Sequence, residues 1–135
     1  MLGGDVKQER VKRSSRWDMK PAILIVDDAP FVALDLEDAA VAAGFRVIGP
    51  CGSVSATLGE VNRWTPACAI LDVQLADGPV FPVADFLQGA GVPLIFHSGT
   101  SAGDELLARY PGARFCAKPS QPADLMNFVR QAVGL

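Results

Sequence analysis

Residues 22–28 read Ala-Ile-Leu-Ile-Val-Asp-Asp, which is five apolar side chains followed directly by two carboxylates. An uninterrupted apolar run with β-branched residues is typical of a strand that is buried on both faces. Strands of this kind belong to parallel sheets that carry helices on both sides. The pair Asp27-Asp28 stands where the strand ends, at the edge of such a sheet where ligands bind. This stretch therefore predicts an α/β fold and the place to look for its chemistry.

Strand-like and helix-like stretches alternate along the rest of the chain. Strands are predicted over residues 22–26, 45–49, 67–71, 92–97 and 113–117. Helices are predicted from Pro30 to Gly44, from near Ser53, from Pro79 or Pro82, over residues 102–109, and after Ser120 as N-cap. The second and third helices are expected to include Trp64 and Phe86, respectively, in their apolar stripes. Five strands that alternate with five helices predict one open parallel sheet with right-handed crossovers.

The composition fits one domain with a charged leader. Of the 135 residues, 50% are hydrophobic and 20% are charged, and no apolar run is long enough to cross a bilayer. Residues 1–20 carry a net charge of +3 and the remainder carries −6. A basic arm can contact nucleic acid or anionic lipid, but a solvated, disordered leader is the interpretation that we favour. We therefore expect a leader over residues 1–20 and one domain over residues 21–135, with no nucleic-acid or membrane partner.

The three cysteines indicate the compartment. Cys51, Cys68 and Cys116 lie far apart, and none forms a CxxC pair. Two of them fall within apolar runs that are predicted strands, which favours a role as small core residues. No secretory signal is present in the leader, so a reducing cytoplasmic location is predicted.

Residues that can carry chemistry stand at the predicted strand ends. The first strand ends in Asp27-Asp28, the third in Asp72, the fourth in Ser98 and the fifth in Lys118. These ends share one edge of a parallel sheet, so three carboxylates, a hydroxyl and an ammonium should gather there. Close carboxylates repel one another, and Mg²⁺ relieves this while keeping waters that a phosphate can replace. An aspartate beside Mg²⁺ is a nucleophile for phosphoryl transfer, so the strand ends together predict that reaction.

The segments around these residues resemble the receiver domain of bacterial response regulators, over residues 21 to about 134. The resemblance implies a flavodoxin-like (βα)5 three-layer sandwich with a parallel five-stranded sheet in the order 2-1-3-4-5. Residues 77–85 are similar to a branch of small stand-alone receivers, whereas Phe96-His97-Ser98-Gly99 departs from the Phe-Ala-Thr-Gly of that branch. The segments that carry the resemblance are residues 23–28, 69–75, 93–99 and 115–119.

The resemblance also implies a role for each carboxylate. Asp72 would be the phosphoacceptor. Asp27 and Asp28 would hold Mg²⁺, and Asp72 itself and the backbone carbonyl of Gln74 would complete the protein ligands.

Three further residues match positions that respond to phosphorylation in the family. Ser98 would supply the switch hydroxyl, and Lys118 would pair with the phosphoryl oxygens. Phe115 would be the switch aromatic, although a core position in the fifth strand explains it equally well. His97 ends a strand, which favours a structural or rim position over a phosphocarrier role.

The implied function is phosphorelay signalling. A histidine kinase, a histidine phosphotransfer protein or a small phosphodonor would phosphorylate Asp72, and the face of the fourth helix, fifth strand and last helix would then bind a protein partner. Only self-phosphorylation and autodephosphorylation are expected, so the chain is not expected to be an enzyme. A phosphate sink, a relay intermediate and a fragment of a longer regulator stay open. A magnesium-dependent aspartyl phosphohydrolase is disfavoured because Gln74 stands where that chemistry needs an acid, and a flavin binder is disfavoured because Asp27-Asp28 would repel its phosphate.

Overall fold

The computed structural model describes residues 20–99 and 103–135. The expected leader lies outside the described residues, except for Lys20. No helix in the described ranges is long and apolar enough to cross a membrane. In chain order, the elements are β1 (Ala22–Val26), α1 (Pro30–Ala42), β2 (Arg46–Cys51), α2 (Val54–Val61), β3 (Cys68–Leu71), β4 (Gln74–Leu75), β5 (Gly78–Pro79), α3 (Phe81–Gly89), β6 (Leu94–Ser98), α4 (Gly103–Arg109), β7 (Arg114–Ala117) and α5 (Pro122–Ala132).

Five of the strands form one parallel sheet in the order β2-β1-β3-β6-β7. This is the order 2-1-3-4-5 when only these five strands are counted, so the predicted topology is confirmed. The two remaining strands, β4 and β5, form a small antiparallel hairpin that the sequence did not predict. The hairpin directly follows Asp72, and it therefore shapes the loop beside the predicted site.

The core has two layers because alternate residues of each strand face opposite sides of the sheet. Ile23 and Ile25 of β1 pack in the layer under α1 and α5. Leu24 and Val26 pack in the layer that α2, α3 and α4 cover. β1 is buried on both faces along its whole length, as the apolar run predicts.

The second strand extends past its predicted end at Gly49. It continues through Pro50 to Cys51, and its register with β1 shifts opposite this point. Pro50 is tolerated because β2 is an edge strand, where a missing amide hydrogen breaks no ladder on the open side. Gly49 has a φ of +92°, and a Cβ there would lie 2.9 Å from the carbonyl oxygen of Ile25. Cys51 in turn accepts a hydrogen bond from the backbone N–H of Asp27 at 2.9 Å, so the extension reaches the predicted site.

Three local predictions are wrong. Trp64 is 52% exposed because α2 ends at Val61, before the helical spacing reaches it. Phe86 is 45% exposed because α3 buries a stripe that includes Ala84 instead. Ser120 does not cap the last helix: Gln121 is the N-cap residue, and no side chain caps that end.

Candidate functional site

The carboxyl edge of the sheet brings the predicted charged residues together. Asp27 and Asp28 follow β1, Asp72 follows β3, and Lys118 follows β7. One carboxylate oxygen from each of the three aspartates lies within 4.8 Å of the others. The Lys118 Nζ lies 2.9 Å from Asp27 Oδ2 and 3.1 Å from Asp72 Oδ2. Residues that are up to 91 positions apart in the chain therefore form one cluster.

The two buried carboxylates are held in the same way. Asp27 is 3% exposed and Asp72 is 8% exposed. The Oδ1 of Asp27 accepts a hydrogen bond from the N–H of Ala29 at 2.9 Å, and the Oδ1 of Asp72 accepts one from the N–H of Val73 at 2.8 Å. In each case the other oxygen faces the Lys118 ammonium. Both carboxylates therefore have a fixed orientation, as an in-line displacement needs.

Lys118 stays positively charged at neutral pH. Burial lowers the pKa of Lys118, but its hydrogen bonds and charge attraction to Asp27 and Asp72 outweigh this effect and raise the pKa above its usual value. One ammonium is set against three carboxylates, so the cluster carries an excess of negative charge that favours binding of a cation.

The donor set fits a small divalent cation. All three clustered side chains offer carboxylate oxygens, which are the ligands that Mg²⁺ prefers. Asp28 is exposed, so one side of the cluster is open to solvent and to a substrate. Gln74 lies in β4, two residues after Asp72, and the role of its backbone carbonyl as a ligand stays a prediction.

Ser98 and Phe115 lie on the neighbouring strands β6 and β7. Ser98 is 2% exposed, and its carbonyl oxygen accepts a hydrogen bond from the Lys118 N–H at 2.9 Å. Phe115 is half-buried and packs against the core layer under α2, α3 and α4. A Cβ on Gly103 would lie 3.0 Å from the Phe115 ring, so the ring stands directly against the start of α4. The switch roles of Ser98 and Phe115 stay predictions, and the packing of Phe115 also fits a core aromatic.

Sequence reasoning missed the part that Asp77 plays. Its carboxylate accepts hydrogen bonds from the N–H groups of Val54, at 2.6 Å, and Ser55, at 3.1 Å. These bonds lower the pKa of Asp77. They join the β4–β5 hairpin to the start of α2 and so hold the loop that follows Asp72. The Asp77-Gly78 pair is a turn signal, but nothing in it indicates a distant helix as partner.

His97 is buried in β6, which agrees with the predicted structural position. It is 4% exposed, and its Nε2 lies 2.9 Å from the Oγ of Ser120. Ser120 therefore contacts β6 in place of the predicted contact with the last helix.

An open parallel sheet in this strand order, with a carboxylate cluster at its carboxyl edge, defines a flavodoxin-like α/β protein. Within that class, the chain has the fold of a response regulator receiver domain, as the sequence resemblance predicts. A response regulator receiver protein from Sinorhizobium medicae matches with a TM-score of 0.76 and 23% identity, over 85% of this chain and 95% of that one. The receiver domain of the PhyR response regulator from Erythrobacter litoralis matches with a TM-score of 0.73 and 24% identity, over 86% and 92% of the two chains.

A third solved structure with this fold contains a metal ion. The receiver domain of a sensor histidine kinase from Pseudomonas aeruginosa matches with a TM-score of 0.72 and 21% identity, over 86% of this chain and 99% of that one. In that structure a magnesium ion is coordinated in the active-site cleft.

By sequence, the chain is similar to the phyllosphere-induced regulator PhyR of Methylorubrum extorquens. The two are 34% identical over 121 residues, which is 86% of this chain and 45% of PhyR. The chain therefore spans about half the length of this curated relative. No family model matches the chain.

Proposed function

We propose that this chain accepts a phosphoryl group on Asp72 in a two-component phosphorelay. The observation that carries the proposal is the setting of Asp72, a buried carboxylate with one oxygen on a backbone N–H and the other 3.1 Å from the Lys118 ammonium. Two further aspartates complete an acidic cluster around it. The similarity to a regulator, PhyR, supports the same function.

The reaction needs alignment more than covalent help from the protein. A carboxylate oxygen of Asp72 attacks phosphorus, and the bond from phosphorus to the donor's imidazole nitrogen, or to the oxygen of a small acyl phosphate, breaks with its electron pair on the leaving group. The Lys118 ammonium lies close enough to neutralise the oxygens of the transferred group. Asp27, Asp28 and Asp72 would hold Mg²⁺, which supplies further charge neutralisation when bound. The ion in the receiver from Pseudomonas aeruginosa supports this choice of metal.

We further propose that a signal leaves through the face formed by α4, β7 and α5. β7 is the edge strand of the sheet and carries Phe115, and α4 has only seven residues. Movement of the Ser98 hydroxyl toward a phosphoryl group at Asp72 would alter this end of the sheet first, because Ser98 and Ala117 are register partners on β6 and β7. A histidine kinase or a phosphotransfer protein is the proposed donor. Phosphotransfer from such a donor would place this chain in the cytoplasm, which is the location that we propose. The expected stand-alone organisation stays a prediction.

The central experiment is labelling with acetyl phosphate. With Mg²⁺ present, intact mass should show the gain of one phosphoryl group, and chelation of Mg²⁺ should prevent it. Asp72→Asn should abolish labelling, whereas Asp38→Asn, an exposed carboxylate on α1, should leave it unchanged. Labelling that survives Asp72→Asn would exclude this residue as the acceptor.

Two assays separate this function from its alternatives. Protein treated with beryllofluoride should retain a protein partner that untreated protein does not, whereas a phosphate sink should gain none. The chain should not turn over p-nitrophenyl phosphate, because the proposal limits its chemistry to its own phosphorylation and dephosphorylation. Sustained turnover would favour a phosphohydrolase instead.

A further inference from the structure

Lys118 reaches Asp27 and Asp72 from a short segment, residues 118–121, that joins β7 to α5. The Lys118 N–H is bonded to the carbonyl of Ser98, which ties the start of this segment to β6. Pro119 has no amide hydrogen to donate. Ser120 then makes a second tie, through its hydroxyl, to the Nε2 of His97 at 2.9 Å. The residues on both sides of Pro119 are thus attached to the last two residues of β6, Lys118 through its backbone and Ser120 through its side chain.

His97 is suited to this contact as a neutral imidazole. Burial and the nearby Lys118 ammonium lower the pKa of His97, whereas the carboxylates of Asp27 and Asp72 oppose that shift. Its Nδ1 has no hydrogen-bond partner among residues 20–99 and 103–135. A buried N–H that lacks an acceptor is rarer than a buried acceptor that lacks a donor, so the unpartnered Nδ1 is the nitrogen without a proton. We therefore assign the proton to Nε2, which donates to the Ser120 hydroxyl.

Packing alone does not hold the segment in place. A cavity of about 190 Å³ separates it from α1, and His97, Lys118 and Ser120 are on the wall of this cavity. The Ser120 hydroxyl is also not used to cap α5, whose N-cap residue is Gln121. Within residues 20–99 and 103–135, the bond to His97 is therefore the side-chain hydrogen bond that ties Ser120 to the sheet.

We propose that His97 is a positioning residue for phosphorylation, which acts by holding the Lys118 segment through Ser120. The inference rests on the proposed phosphorylation of Asp72. Without the bond, the segment loses its tie through Ser120 to β6, and the ammonium spends less time between the two carboxylates. Loss of one hydrogen bond of ordinary strength should slow labelling by about fivefold.

The test is a mutant cycle read by the rate of labelling with acetyl phosphate at saturating Mg²⁺. His97→Ala and Ser120→Ala should each be about fivefold slower than the wild type, and the double variant should be no slower than either, because both remove the same bond. His97→Gln carries an amide that can donate to Ser120 and should recover most of the rate. Gln121→Ala, an exposed neighbour, is the matched control and should label normally.

A purely structural role for His97 predicts a different pattern. His97→Gln would then not recover the rate, and the losses in the double variant would add; either result overturns the inference. Labelling of Ser120→Ala at the wild-type rate does so too, and this half-buried position keeps the test valid if His97→Ala fails to fold. A wild-type chain that takes no label on Asp72 would instead overturn the proposed function.

Discussion

Lys118→Met removes one ammonium from between two buried carboxylates while keeping an apolar side chain of similar length. The Lys118 Nζ lies 2.9 Å from Asp27 and 3.1 Å from Asp72. Each pair of unit charges at such distances attracts by roughly 5–6 kcal/mol at an effective dielectric constant of about 20. Most of this attraction is offset by the loss of water around buried charges.

The net effect on stability follows from the exposure of the groups. The Lys118 side chain is 22% exposed, so the loss should fall below the roughly 3–5 kcal/mol that accompanies breaking a fully buried pair. We expect the free energy of unfolding to fall by about 2 kcal/mol without Mg²⁺, which corresponds to a melting temperature lower by about 8 °C for a chain of this size. The variant should also lose labelling at Asp72.

Added Mg²⁺ should offset the loss of stability in Lys118→Met. The ammonium contacts Asp27 and Asp72, two of the residues that would hold Mg²⁺, so the two cations compete. Without the ammonium, Mg²⁺ should bind roughly tenfold more tightly, and the stability deficit should shrink as Mg²⁺ is added.

Thermal melts across a series of MgCl₂ concentrations measure both quantities. Lys20→Met, an exposed lysine, should leave both unchanged and serves as the control. A Lys118→Met protein that melts with the wild type in the absence of Mg²⁺, or binds Mg²⁺ no more tightly, would refute the reasoning.

Three further predictions test other parts of the structure. The pKa of His97 is lower in the folded protein than the ordinary value of 6.5, so its neutral form stabilises the fold above pH 6.5, and this stabilisation is lost as pH falls below that value. Urea unfolding at pH 5–8 should therefore show a free energy of unfolding that decreases with falling pH, by at most about 1.4 kcal/mol per pH unit. His97→Gln should lack this decrease. Asp77→Ala removes the acceptor for Val54 and should lower the melting temperature at pH 7, and this effect should disappear as pH falls through the lowered pKa of Asp77; equal melting temperatures at pH 7 would contradict it. Phe31 is 84% exposed three residues after Asp28, so Phe31→Ala should reduce phosphotransfer from a histidine kinase by about tenfold and leave labelling by acetyl phosphate unchanged, and equal losses with both donors would contradict a docking role.

The placement of the charged site could be predicted because it depends on topology alone. Parallel strands present their carboxyl ends at one edge, so the residues after β1, β3 and β7 must meet there whatever the loops do. The strand bounds were less predictable. β2 passes through Gly49 and Pro50, two residues that usually end a strand, because an edge position tolerates what a central strand does not.

The buried faces of the helices were predicted from the spacing of apolar residues. These predictions were wrong where a helix ended early or buried a different stripe. Trp64 kept the apolar spacing of α2 but lies beyond its last residue, Val61. Spacing carries no information on where a helix ends, so an apolar residue just past its last residue is assigned to the wrong environment. Trp64 is 52% exposed as a result, whereas Phe86 lies within α3 and is 45% exposed because the buried stripe of that helix includes Ala84 instead.

The contacts that support the site could not be predicted, because each joins the end of one element to a distant loop. His97 and Ser120 are 23 residues apart, as are Asp77 and Val54. The local sequence predicts a helix cap at Ser120 and a turn at Asp77. Neither pattern indicates a partner elsewhere in the chain. Both side chains instead bond across elements, where they hold the loops that carry Lys118 and Asp72. The two contacts differ in what they should control: Asp77 restrains a helix end and should act on stability, whereas His97 restrains the segment that carries the ammonium and should act on the rate of phosphorylation.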